Sequence, residues 1–239
     1  MGFYCDHIFP RLMEWVMAGE EFLRLRSELL ASTHGEVLEL GIGTGLNLPH
    51  YPKTVTELHA VDPAQLLPKT VAARSACLSF PVRIQKGTAE TLPHADQRFD
   101  YVVSTWTLCT IPGPVLALQE VGRVLKPGGR FLFLEHGLSD DRKIAGWQDR
   151  LNPIQNVIGC GCNLNRQIDR LITQSGLEIV HLDRFSMQGM PRLAGEMYRG
   201  TATKNNQAGD RPLRSGANPA MEKNRESGDG GNCELDLAL

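Results

Sequence analysis

Val37-Leu38-Glu39-Leu40-Gly41-Ile42-Gly43-Thr44-Gly45 is an apolar run that contains one acidic residue and ends in three glycines at alternate positions. The run predicts a buried strand. The glycines predict a turn that a nucleotide approaches closely, because residues without a β-carbon accept unusual dihedrals and leave room for a ligand. A carboxylate inside a buried apolar run is costly without partners, so we expect Glu39 to have a functional role rather than merely to end a strand.

A second acidic residue follows at a spacing that is typical of ribose recognition. Asp62 ends the short apolar run 58–62, near the offset of about 20 residues at which a carboxylate meets a ribose in dinucleotide folds. The glycines differ from the nicotinamide pattern G-x-G-x-x-G, whose third glycine would fall at Leu46. No Gly-Lys-Ser/Thr follows the turn, so the pattern also excludes a P-loop.

Three later segments continue the pattern. They are Gly87-Thr88-Ala89-Glu90-Thr91-Leu92-Pro93, the strand-like run 99–104, and the helix, turn and strand pattern of 120–131. Together with the glycine turn, Glu39 and Asp62, they resemble the class I S-adenosylmethionine-dependent methyltransferases of the type 11 group. The resemblance covers most of residues 35–136, with its motifs in the order of the family.

The resemblance implies that S-adenosylmethionine is the cofactor. In the family, the position of Glu39 orders the glycine loop near the methionine moiety, and that of Asp62 accepts the two ribose hydroxyls. The segment around Ala89 lies beside the adenine. The cofactor-binding positions implied in this chain are Glu39, Gly41, Gly43, Gly45, Asn47, Asp62, Thr88, Ala89, Glu90 and Thr105.

The alternation of apolar runs and helical patterns predicts an α/β fold. Strands are expected near 36–41, 57–62, 82–86, 99–104, 130–135 and 177–180, with another that ends near Ala202, and helices near 64–78, 112–126, 141–158 and 164–175. This alternation indicates a parallel sheet covered on both faces, with ligands at the carboxyl ends of the strands. The resemblance implies a Rossmann-like, doubly wound, seven-stranded and mostly parallel sheet with a reversed last hairpin.

Three parts of the chain are predicted. Residues 1–34 contain an amphipathic helical region over 6–31, which is expected to be a lid over the pocket. Residues 35–203 form the methyltransferase domain. Residues 204–239 are rich in Gly, Asn, Ser and charged residues, and so are expected to be a disordered tail that cannot bury apolar area.

Composition limits the partners of the chain. With 239 residues and a net charge of −2, the chain lacks the basic patch that nucleic-acid enzymes use against phosphates. No run approaches the roughly 18 apolar residues of a membrane span, so we expect a cytoplasmic protein, with peripheral membrane contact through the N-terminal helix left open. Six cysteines in a chain of this length are expected to be reduced thiols. Composition leaves the oligomeric state open.

The methyl-acceptor side is expected at His136, Cys109 and the run 159–166. His136 ends the fifth strand and is predicted to act as a base or a substrate contact, because its ordinary pKa lies near neutrality. Cys109 is expected to line the pocket. The Gly-Cys-x-Leu-x-Arg run resembles the substrate-side segment of the thiol methyltransferase-like branch, which is related to enzymes that methylate quinones and phospholipids. The resemblance implies acceptor contacts from Cys162, Asn163 and Arg166.

Two further expectations concern the same run. Asn163 is expected to cap the following helix. Cys160 and Cys162 are not expected to bind a metal, because structural zinc sites usually show a second Cys or Cys/His pair and none follows.

The sequence therefore predicts a methyltransferase that acts on a small, apolar acceptor, with a thiol as the leading hypothesis. Three alternatives remain open: N-methylation of a phospholipid, C-methylation of a quinone, and an S-adenosylmethionine-binding module without catalysis. In the enzyme hypotheses the protein chiefly aligns the nucleophile with the methyl group and excludes water.

Overall fold

The computed structural model describes residues 2–64 and 66–204 and contains one seven-stranded sheet. The strands are β1 (Gly35–Leu40), β2 (Val55–Asp62), β3 (Val82–Lys86), β4 (Phe99–Thr105), β5 (Leu125–His136), β6 (Leu177–Ser186) and β7 (Glu196–Lys204). Their order is β3-β2-β1-β4-β5-β7-β6. Strand β7 is antiparallel to β5 and β6, and the other pairs are parallel. The predicted Rossmann-like sheet with a reversed last hairpin is confirmed.

Helices flank the sheet. They are α1 (Phe9–Met17), α2 (Glu20–Leu30), α3 (Pro68–Ala76), α4 (Pro114–Val124), α5 (Arg142–Ile158), α6 (Ile168–Gln174) and α7 (Arg192–Gly195), with a π-helical turn at Tyr4–Ile8 and a 3₁₀ turn at Leu48–His50. Proline stands in the first turn of α1, α3 and α4, where its missing N–H costs no hydrogen bond. The N-terminal helical region is divided at Gly19, whose backbone is extended.

Side chains on the two faces of β1 belong to two different apolar cores. Leu38 and Leu40 lie in the cluster that also contains buried residues of α4 and α6. Val37 lies in the other cluster, with the buried face of α2. Because side chains alternate across a strand, Glu39 points to the same face as Val37 and therefore toward α2.

The strand register brings the predicted site residues to one edge. Leu40, the last residue of β1, pairs with Val61 and Ser104 on its two neighbouring strands. The residues that follow or end these strands therefore lie together at the carboxyl edge, where ligands of parallel sheets bind. These residues are Gly41, Asp62, Thr105 and His136.

The expectation of reduced thiols is wrong for one pair of cysteines. Cys5 and Cys160 form a disulfide across a sequence separation of 155 residues. Beside it, the hydroxyl of Tyr4 donates a hydrogen bond to the carbonyl of Ile158 at 3.0 Å. Composition could not find this pair, because only the fold brings the N-terminal turn to the loop after α5.

Two further expectations concern the start of the C-terminal tail and the membrane-spanning capacity of the helices. Lys204 is the last residue of β7, so the predicted tail does not begin there. The rest of that tail, residues 205–239, lies outside the described part of the chain. Among residues 2–64 and 66–204, every helix is too short or too polar to span a bilayer.

Peptide mapping tests the disulfide. Protein that is unfolded and alkylated without reductant, then digested with trypsin, should yield the fragment 151–166 joined to the fragment that carries Cys5. Cys162, which lies in the same fragment as Cys160, should carry the alkyl label. Two separate fragments, with both Cys160 and Cys162 alkylated, would contradict the cross-link.

Candidate active site

The buried carboxylate of Glu39 forms the centre of the cofactor side. Glu39 is 1% exposed, and its two oxygens accept hydrogen bonds of 2.9 Å from Asn47 Nδ2 and the Tyr51 hydroxyl. Burial raises the pKa of Glu39 to about 7, although these two donors and the charge of Arg26 act in the opposite direction. The acidic residue of β1 therefore holds the segment that follows the glycine loop.

Arg26 contacts two of the predicted cofactor-side residues, and the sequence analysis missed it. It is buried on α2, and its Nη1 donates to Asn47 Oδ1 at 2.6 Å and to Thr105 Oγ1 at 3.1 Å. Burial lowers the pKa of Arg26 to about 10, so the side chain stays charged at neutral pH. A signal was present in the sequence, because Arg26 stands at helical spacing from Phe22 and so lies on the apolar face of α2.

Trp106 joins the same network at the end of β4. The guanidinium carbon of Arg26 lies 4.6 Å from the centroid of the Trp106 ring, a cation–π distance. Trp106 adopts a φ of 48°, which is strained for a residue with a bulky side chain. The chain thus makes a sharp change of direction directly after Thr105.

Asp62 lies where the ribose contact is predicted. Its Oδ2 accepts a hydrogen bond from the backbone N–H of Gly43, and its Oδ1 accepts one from that of Ala64, both at 2.8 Å. Burial raises the pKa of Asp62, and the two backbone donors oppose this shift. The carboxylate is therefore fixed directly beside the glycine loop.

The glycines of the loop serve different purposes. Gly41 has a φ of 70°, and a β-carbon there would lie 2.6 Å from the side chain of Thr107, so the position needs glycine for packing. Gly43 has a φ of 54°, and a β-carbon there would meet no atom within 4 Å. Gly43 therefore faces open space beside Asp62, as a loop that admits a cofactor requires.

The predicted adenine-side segment follows β3. Ala89 is buried, and the carboxylate of Glu90 accepts a hydrogen bond of 3.0 Å from the backbone N–H of Gly113. The side chain of Glu90 is thus engaged with the turn before α4. The cofactor contacts of Thr88, Ala89 and Glu90 stay predictions.

Three predicted acceptor-side residues come together although they are distant in sequence. The Nε2 of His136 lies 3.0 Å from the Sγ of Cys162, which lies 3.6 Å from the Sγ of Cys109. Cys109 and His136 are buried, and Cys162 is half-buried. The contact with Cys109 and burial raise the pKa of Cys162 well above its usual range, which favours the neutral thiol.

Asn163 and Arg166 connect two loops of the acceptor side. Asn163 does not cap a helix, because α6 begins at Ile168, and its Nδ2 instead donates to the carbonyl of Cys109 at 2.9 Å. The guanidinium of Arg166 donates to the carbonyls of Leu108 and, at 2.7 Å, Ile111. Contacts of Asn163 and Arg166 with an acceptor stay predictions.

Glu135 is a second buried acid that the sequence analysis did not assign to the site. Its Oε1 accepts a hydrogen bond of 2.6 Å from the Ser104 hydroxyl and one of 3.1 Å from the backbone N–H of Thr107. Burial raises the pKa of Glu135. Glu135 thereby joins the end of β5 to the loop that follows β4.

Comparisons with known proteins identify the class that this fold and site define. Residues 38–133 match the family profile described as a methyltransferase domain. The thiol S-methyltransferase TMT1B of Rattus norvegicus is 33% identical over 194 residues, which cover 75% of this chain and 79% of the relative. The chain belongs to the class I S-adenosylmethionine-dependent methyltransferases. It is an enzyme, and S-adenosylmethionine is its cofactor.

Two further relatives show how wide this similarity is. The phosphatidylethanolamine N-methyltransferase of Cereibacter sphaeroides is 27% identical over 157 residues, covering 65% of this chain and 76% of the relative. The crystal structure of YcgJ from Bacillus subtilis has a TM-score of 0.58 and 18% identity, and covers 77% of this chain and 98% of that one. The YcgJ structure supports the fold alone.

Replacing Asp62 with alanine tests the predicted ribose contact. We expect Asp62→Ala to weaken S-adenosylmethionine binding about tenfold, or about 1.4 kcal/mol, in isothermal titration calorimetry, because the ribose loses its acceptor. Asp96→Ala is the control, because the Asp96 side chain is 71% exposed and pairs with Arg123 at the surface. Equal affinities for both variants would remove Asp62 from the cofactor site.

Replacing Gly43 with valine tests the position of the loop. The new side chain would enter the open space beside Asp62, so cofactor binding should be lost while the domain stays folded. Strain from the positive φ should cost about 1–2 kcal/mol of stability.

Gly128→Val controls for that strain. Gly128 also has a positive φ, of 79°, with no atom within 4 Å of a β-carbon, and it lies in the turn within β5 rather than at the carboxyl edge. Calorimetry and circular dichroism should show two folded variants, of which only Gly128→Val binds the cofactor. Binding by Gly43→Val would mean that the cofactor does not approach this loop.

Proposed function

We propose that this enzyme transfers the sulfonium methyl group of S-adenosylmethionine to a small, apolar thiol. The observation that carries the proposal is the cluster of His136, Cys162 and Cys109 at the same sheet edge as Asp62 and the glycine loop. A largely buried cluster of sulfur and imidazole groups suits a soft, neutral acceptor better than a charged one. The name of the rat relative, a thiol S-methyltransferase, supports the same acceptor.

The proposed reaction requires little acid–base chemistry. S-adenosylmethionine supplies a methyl group that is already activated by its sulfonium charge. A thiol with an ordinary pKa of about 8.5 is partly thiolate at neutral pH, so the residues of the chain chiefly align the two sulfurs and exclude water. Leu108 and Ile111, which lie on either side of Cys109 in the sequence, are buried in the apolar core and support this loop.

The N-terminal segment 1–34 is proposed to be a lid. Two contacts support this role: Arg26 of α2 reaches Asn47 and Thr105 on the cofactor side, and the Cys5–Cys160 disulfide lies two residues from Cys162 on the acceptor side.

Phospholipid N-methylation is the second candidate function. It is supported by a group of exposed apolar side chains in the N-terminal helices and α5, which suits access to a lipid surface. These are Phe3, Ile8, Leu12, Trp15, Trp147, Ile154, Val157 and Ile158. The Cereibacter sphaeroides relative, named for phosphatidylethanolamine, supports the same reading.

Methyl transfer to parallel acceptors tests these proposals. Enzyme and cofactor with a labelled methyl group are incubated with an alkyl thiol, with vesicles of phosphatidylethanolamine, or with a demethylated quinone. We expect the label in the thioether product. Gly43→Val serves as the control, because label made by a contaminating enzyme would persist with that variant. Label in the lipid or the quinone instead of the thiol would overturn the proposed acceptor.

A further inference from the structure

The three acceptor-side ligand atoms have the separation of a tetrahedral metal site. The Sγ atoms of Cys109 and Cys162 and a nitrogen of His136 all lie within 4.8 Å of one another. A tetrahedral zinc ion, with Zn–S of about 2.3 Å and Zn–N of about 2.0 Å, requires S–S distances of about 3.8 Å and S–N distances of about 3.5 Å. The observed 3.6 Å between the sulfurs and 3.0 Å between Nε2 and Cys162 Sγ differ from these values by about half an ångström or less, and the third distance, between Cys109 Sγ and a nitrogen of His136, is at most 4.8 Å.

The backbone that carries these atoms is already fixed. Both the backbone N–H and the Nδ2 of Asn163 donate to the carbonyl of Cys109, at 3.0 and 2.9 Å. Arg166 joins the same two loops by donating to the carbonyls of Leu108 and Ile111, and His136 is paired with Met197 inside the sheet. A site held in this way needs little reorganisation to bind an ion.

The disulfide determines which thiol of the 160–162 run is free to act as a ligand. Cys160 is bonded to Cys5 and cannot coordinate a metal, whereas Cys162 is reduced. The other two ligands are Cys109 and His136, which stand far from Cys162 in the sequence. The spacing of Cys160 and Cys162 is therefore misleading, because the ligands do not come from one local motif.

We propose that Cys109, His136 and Cys162 bind a zinc ion whose fourth coordination position takes up the acceptor sulfur. Two thiolates and an imidazole are ligands that zinc prefers. The cluster offers no fourth Cys, His, Asp or Glu within the part of the chain that the structure describes. Three protein ligands with an open position are typical of catalytic zinc, whereas structural zinc has four.

The chemical role of the open position rests on the proposed function, the methylation of a thiol. Binding of zinc by both cysteines and of the acceptor as a thiolate releases three protons to solvent. A coordinated thiol stays deprotonated at neutral pH, so its sulfur keeps an electron pair for attack. In the transfer, a bond forms between that sulfur and the methyl carbon while the bond from the methyl carbon to the sulfonium breaks. The electron pair of the broken bond stays on the cofactor sulfur, which becomes a neutral thioether.

Cobalt substitution tests the site without any activity measurement. Full-length protein is purified anaerobically without reductant, stripped with a chelator and titrated with Co²⁺. We expect one equivalent of Co²⁺ to give the visible and thiolate charge-transfer bands of a tetrahedral complex, and one equivalent of Zn²⁺ to abolish them.

Serine variants identify the ligands. Cys109→Ser and Cys162→Ser should bind Zn²⁺ about 100-fold more weakly or worse, as measured by competition with a chelating dye. Cys77→Ser is the matched control, because Cys77 is exposed and outside the cluster, and its affinity should be unchanged. Circular dichroism shows whether each variant is folded. Absent bands, equal affinities of all three variants, or a Cys109–Cys162 disulfide in the stripped protein would overturn the proposal.

Addition of an alkyl thiol to the cobalt form tests the fourth position. A shift of the absorption bands is expected as the thiol sulfur replaces water, and unchanged bands would overturn the role in acceptor binding. This result is independent of the methyl-transfer assay. A cobalt complex that takes up thiol, in a protein that methylates only lipid, would support the metal site and contradict the proposed function.

Discussion

The buried carboxylate of Glu39 is the constraint on which the cofactor side depends. A charge at this depth must be met by donors, and Asn47 and Tyr51 provide them from the segment after the glycine loop. Arg26 offsets the charge from α2. The pKa of about 7 makes the stability of the fold depend on pH. The folded carboxyl binds a proton more readily than the unfolded one, whose pKa is near 4.5, so the contribution of Glu39 to stability falls as the pH rises from about 4.5 to 7. This loss of stability accompanies the buried contacts through which Glu39 orients the segment after the glycine loop.

The backbone arrangement at the predicted cofactor site could be predicted from the sequence because its information is local. The strand, the glycine turn and Asp62 lie within one β-turn-β pattern, and the structure keeps that arrangement with Gly43 hydrogen-bonded to Asp62. The strands were likewise predicted because apolar runs of strand length alternate with helical patterns. Arg26 was missed because a charged residue on an amphipathic helix usually faces water. Its helical spacing places it on the apolar face of α2. This signal can be interpreted only when the buried partner of the side chain is known.

The acceptor side could be predicted only as separate residues. Cys109, His136 and Cys162 were each assigned to the acceptor pocket, but their mutual contacts depend on the loop after β4, the end of β5 and the loop after α5. The spacing of these residues in the sequence does not indicate that their side chains are in contact. The same limit explains Cys5 and Cys160, whose pairing depends on where the N-terminal turn lies. The prediction for Asn163 was wrong for a different reason. Asparagine is a common helix cap, but this side chain binds the carbonyl of Cys109 in the neighbouring loop instead.

These two sides of the site share one structural element. The helical segment between Tyr4 and Leu30 contacts the cofactor side through Arg26 and is covalently fixed near the acceptor cluster through Cys5. Movement of this segment away from the sheet would break the contacts of Arg26 with Asn47 and Thr105, and would pull on the loop that carries Cys162. We therefore expect displacement of the loop that carries Cys162 and loosening of the segment that carries Asn47 to be coupled while the disulfide is intact. Reduction of that one bond would remove the covalent half of the coupling and leave the contacts of Arg26 to hold the segment in place.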